Sequence, residues 1–107
     1  MYHRRVIPRR ERLLQLARLV GPDVFIERFG SPQTAEPDGE ALRALIAERL
    51  DHIVRSLVEE AAASDDVIDT ASAALYLHDR IETLDDLLTH PQAESIRARF
   101  REQTAAW

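Results

Sequence analysis

With 107 residues and no cysteine, the chain has room for one hydrophobic core and cannot form disulfides, thiolate nucleophiles or cysteine-based zinc sites. Charged residues make up 31% and Gly and Pro total only eight, a composition that excludes fibrous and disordered classes. The net charge of −5 conceals a segregation, since residues 1–20 carry +5, residues 97–107 carry +2 and the middle carries −12.

All 14 basic residues are Arg, and Lys and Asn are absent, a bias that GC-rich coding produces. The basic start, Met1 to Arg12, is not followed by an apolar core region, and no apolar stretch approaches 18 residues. The reading is therefore of a cytoplasmic chain with no membrane span and no secretory signal.

In chain order, the first expected helix runs from about Arg9 to Val20, with Leu13, Leu16, Ala17 and Val20 on one face. Gly21 is placed to end it, and Pro22 to open a second short helix carrying Phe25 and Phe29 before Gly30. Residues 31–39 contain Pro32, Pro37 and Gly39 and read as the longest irregular connection.

From Glu40 to Ser64 there is neither Gly nor Pro. Leu42, Leu45, Ile46, Leu50, Ile53, Leu57 and Ala61 recur at steps of three and four, which predicts one continuous helix capped by Asp38. Such a helix would be roughly 36 Å long.

A helix is expected to follow Asp66 as cap, with Ile68, Ala71, Ala74, Leu75, His78 and Ile81 facing the core. Thr83-Leu84-Asp85-Asp86 has the spacing of a capping box for a further helical turn. Pro91 then opens a last helix to about Gln103, burying Ala93, Ile96 and Phe100. The expected fold is all-α: a compact bundle of about five helices around one long central helix (about 40–64). Residues 1–107 form one domain, with 1–8 as a basic arm.

Several constellations carry functional readings. Gln15 to Gly21 resembles the first helix and turn of repressor-type helix-turn-helix domains, and Ile26 to Gly30 resembles the end of their recognition helix. Only five residues separate Gly21 from Glu27, and Phe25 and Phe29 occupy positions where that family reads bases. The order of short helix, long helix, acidic break and shorter helix is similar to the histone fold, which implies pairing of long helices in a dimer.

Glu48-x-x-Asp51 followed by Asp66-x-x-Asp69 resembles the metal-binding pattern of all-α nucleotide pyrophosphohydrolases. That resemblance implies a Mg²⁺-dependent hydrolase, but a helix continuing to Ser64 would hold Asp51 several turns from Asp69. Glu48 with His52 and His78 with Glu82 are each four apart, the spacing of helical carboxylate–histidine sites. On the helical wheel, Glu48 and His52 point to solvent and His78 points to the core.

The function expected from these residues is a non-enzymatic helical interaction module, a homodimer or a small subunit of an assembly, with no cofactor and no metal. Leu50, Val54, Leu57, Val58 and Ala61 are the expected helix–helix interface, because Val54 and Val58 broaden the apolar face of the central helix. The alternative is a DNA-associated regulator in which Arg4, Arg5, Arg9, Arg10 and Arg12 contact phosphates or an acidic partner.

Overall fold

The apolar periods of this chain fold as helices, and among the described residues six of them build the fold: α1 (Arg9–Val20), α2 (Pro22–Phe29), α3 (Gly39–Glu48), α4 (Leu50–Ala62), α5 (Thr70–Thr83) and α6 (His90–Thr104). The computed structural model describes residues 7–107, and among these there is no strand. The all-α bundle expected from periodicity is the observed architecture. Expectations for residues 1–6, including Arg4 and Arg5, lie outside the described residues.

α1 ends at Gly21, whose φ of 107° few other residues adopt, and Pro22 starts α2 at once. Phe25 is fully buried and meets the half-buried Phe29 edge to face, with ring centroids 5.2 Å apart. The 31–38 connection folds back under α1, held where the Arg10 guanidinium donates to the carbonyls of Pro32 (2.8 Å) and Ala35 (2.6 Å).

The expected single helix over 40–64 is instead two helices. Arg49 leaves the helical region (φ −110°, ψ 19°), and its N–H is shared between the carbonyls of Leu45 and Ile46. The break turns the Arg49 side chain onto the end of α1, where Nε donates to the Val20 carbonyl at 3.0 Å. Two turns further on, the Ser56 hydroxyl donates to the Leu19 carbonyl at 3.2 Å. Two of the carbonyls that a helix end leaves open are thereby satisfied from α4.

α4 is the hub, packing most extensively on α6 and α1 and also on α3 and α5. Its buried residues Ile53, Val54, Leu57 and Ala61 meet Leu16 and Val20 of α1 and Ile96 and Phe100 of α6 in one core.

α5 departs from the expected phase. Its buried residues are Ala73, Leu77 and Ile81, while Ile68, Ala71, Ala74, Leu75 and His78 are exposed. The cap is Asp69 rather than Asp66, in a reciprocal box with Ser72. Moving the cap three residues along also moves the start of the helix from Val67 to Thr70.

Thr83 closes α5, its hydroxyl donating to the Asp79 carbonyl, so Thr83 to Asp86 is not a capping box. That role belongs to Thr89 and Gln92, which start α6.

Candidate functional site

Most polar side chains that the sequence singled out hold the fold together. Glu48 accepts from Arg28 at 2.8 Å, and Asp51 pairs with Arg99 of α6. His78 lies 3.4 Å from Glu82 on the surface of α5, not in the core, while His52 is half-buried beside the Gly21 turn. The two carboxylate–histidine pairs do not converge, and among the described residues no three His, Asp or Glu side chains are grouped to hold a metal ion. Asp51 and Asp69, the second members of the two halves of the pyrophosphohydrolase-like pattern, serve separate elements: an ion pair to α6 and the cap of α5.

Of the basic set, Arg10 is held by the 31–38 connection and lies 3.8 Å from Glu36, and Arg12 pairs with Asp86. Arg9 is exposed. Arg4 and Arg5 lie outside the described residues.

The expected interface set is apolar as read, but its partner is this same chain. Val54, Leu57 and Ala61 are buried against α1 and α6, and Leu50 and Val58 are partly buried against the same core. The excess apolar width of α4 is therefore covered internally, and no free α4 face results.

The free apolar face lies on α5. Leu75 is 68% exposed, on the side of the helix opposite Leu77, which is 4% exposed, and Ala71 lies one turn before it on the same side. Ile68, two residues ahead of the helix, is 83% exposed. Trp107 lies beside it, because Thr70 Oγ1 donates to the Trp107 carbonyl at 3.0 Å.

Two shallow grooves flank Val67. One of about 250 Å³ is lined by Ala62, Ile68, Asp69 and Trp107, and the other, of about 430 Å³, by Leu75, Tyr76, Asp79 and Arg80 with Asp66.

This face is held in place. The Ser72 hydroxyl accepts the N–H of Ile68 (2.8 Å) and of Asp69 (3.0 Å), which pins Ile68 outward although its side chain has little cover. The Asp69 carboxylate accepts the Ser72 N–H at 2.9 Å. That backbone bond, with the Ser72 hydroxyl bond second, holds the Asp69 carboxyl below the ordinary aspartate range. In the larger groove the Tyr76 hydroxyl donates to Glu60 at 3.2 Å, and the Arg80 guanidinium lies 5.1 Å from the Tyr76 ring centroid.

Sequence periodicity had found Ile68, Ala71 and Leu75 but assigned them to the core. Comparison with protein-family models, with curated proteins and with solved structures finds no match to this chain. Among the described residues, no helix is long and apolar enough to cross a membrane.

Proposed function

We propose that the chain is a non-enzymatic helical protein–protein interaction module and that it docks through the outward face of α5. The observation that carries this reading is the pair Ile68 and Leu75, both exposed and lining the two grooves that meet at Val67, the smaller of them shared with Trp107. Single exposed apolar residues are ordinary, whereas exposed apolar residues gathered on adjoining grooves mark an interaction surface. The employment of Glu48, Asp51, Asp69 and Arg12 in ion pairs and caps is consistent with structural rather than catalytic roles. A homodimer and a place in a larger assembly both satisfy this reading. The nucleic-acid alternative is left with fewer cations, since Arg10 and Arg12 are engaged within the fold.

The test is photocrosslinking in cells from a benzophenone side chain at position 75, with exposed position 55 on α4 as control. The reading expects a discrete adduct from position 75 alone. No adduct, or the same adducts from both positions, contradicts it.

A further inference from the structure

We infer that the outward face of α5 receives a basic amphipathic segment of a partner protein, an inference that rests on α5 being a docking surface. Around these apolar residues stand four carboxylates: Asp66 and Asp79 in the larger groove, Asp69 in the smaller, and exposed Asp65 beside them. None of the four makes an ion pair among the described residues, so their charge is open to an external partner. Among the described residues Arg80 is the one basic residue lining either groove, and its guanidinium is turned over the Tyr76 ring.

An apolar centre rimmed by unpaired negative charge complements a segment with apolar anchors and Lys or Arg flanks. The two grooves offer one place each for such anchors, with Ile68 lining the smaller, Leu75 the larger and Val67 both. The same charge argues against a second copy of the chain, because a two-fold contact through α5 would bring both sets of unpaired carboxylates into one interface.

The probe is a peptide of about 15 Leu and Lys residues patterned as one amphipathic helix, with a twin carrying Glu in place of Lys. Each is titrated onto the full chain by calorimetry and by the fluorescence of Trp107, the one tryptophan, which lines the smaller groove.

The expected result is saturable 1:1 binding of the Lys peptide alone, with a blue shift of Trp107. Affinity should fall about tenfold in Asp66→Asn/Asp79→Asn, and more in Ile68→Ser/Leu75→Ser, with melting temperatures unchanged in both variants because all four residues are exposed. Equal binding of both peptides, or Lys-peptide binding indifferent to Asp66→Asn/Asp79→Asn, overturns the basic partner. If that binding is still lost in Ile68→Ser/Leu75→Ser, the docking surface stands. A parent dimer that Ile68→Ser/Leu75→Ser returns to 12.2 kDa overturns the inference in favour of a second copy and also leaves the docking surface standing. Binding of neither peptide by a monomeric parent overturns the inference, and the absence of any adduct from position 75 then removes the docking surface with it.

Discussion

Replacing Arg49 with Ala removes the bond that joins the break in the α3–α4 pair to the end of α1. The lost interaction is a charged donor 3.0 Å from the Val20 carbonyl, at the negative end of the α1 dipole. Hydrogen bonds to charged groups contribute about 1.5–3 kcal/mol, and a cation at an exposed helix C-terminus about 0.3–1 kcal/mol. Arg49 is half-buried, and water can replace part of the bond in the variant, so the lower half of the summed range applies. We expect Arg49→Ala to destabilise the fold by about 2 kcal/mol, which for a domain of this size lowers the melting temperature by roughly 8 °C.

Ser56→Ala, which frees the neighbouring Leu19 carbonyl, should cost about 1 kcal/mol. Arg49→Lys keeps the charge but not the Nε geometry and should recover part of the loss. Urea denaturation followed by helical circular dichroism measures all three, with an unchanged m-value showing that the unfolded surface is the same. An Arg49→Ala variant within about 0.5 kcal/mol of the parent would refute the assignment of Arg49 as the clamp on α1.

Two further outcomes follow from burial and from capping. Leu57→Asp should abolish folding, since Leu57 is buried among α1, α4 and α6 and the variant would bury an unpaired carboxylate; His52→Ala, at a half-buried position, should stay folded with only a small loss in the same thermal melt. The lowered Asp69 carboxyl stabilises the fold above the ordinary aspartate pKa, and that contribution is lost as pH falls through its lower folded value. Asp69→Asn, which keeps a capping side chain, should therefore show a shallower loss of stability than the parent below about pH 4, and parallel acid limbs would contradict the assignment.

Where a single apolar stripe meets a clear stop, sequence reasoning reached the structure. α1 runs from Arg9 to Val20 and α2 from Pro22 to Phe29, as Gly21, Pro22 and Gly30 imply. The break at Arg49 could not be read, because no Gly or Pro marks it and the bond that accompanies it is tertiary, to Val20, 29 positions away. α5 was misphased because the sequence over 68–81 carries two apolar periods. Ile68, Ala71 and Leu75 have the same spacing as a core face, and only packing on α4 and α6 selects Ala73, Leu77 and Ile81 instead.

Three aspartates near the start of α5 compete as caps, and Ser72, which decides between them, is not the Glu or Gln of the usual box. The interface expected on Leu50, Val54, Leu57, Val58 and Ala61 was legible as apolar. What covers it was not, since α6 and α1 approach it from opposite ends of the chain.

The phase of α5 is the point on which the docking surface depends, and paired thermal melts of Leu75→Ser and Leu77→Ser test it most directly. With Leu77 buried and Leu75 largely exposed, Leu77→Ser should lose about 3 kcal/mol through lost packing and a buried hydroxyl, whereas Leu75→Ser should stay within about 0.5 kcal/mol of the parent. Equal destabilisation by the two, or a larger loss from Leu75→Ser, would return the Leu75 stripe to the core and leave α5 with no face to offer a partner.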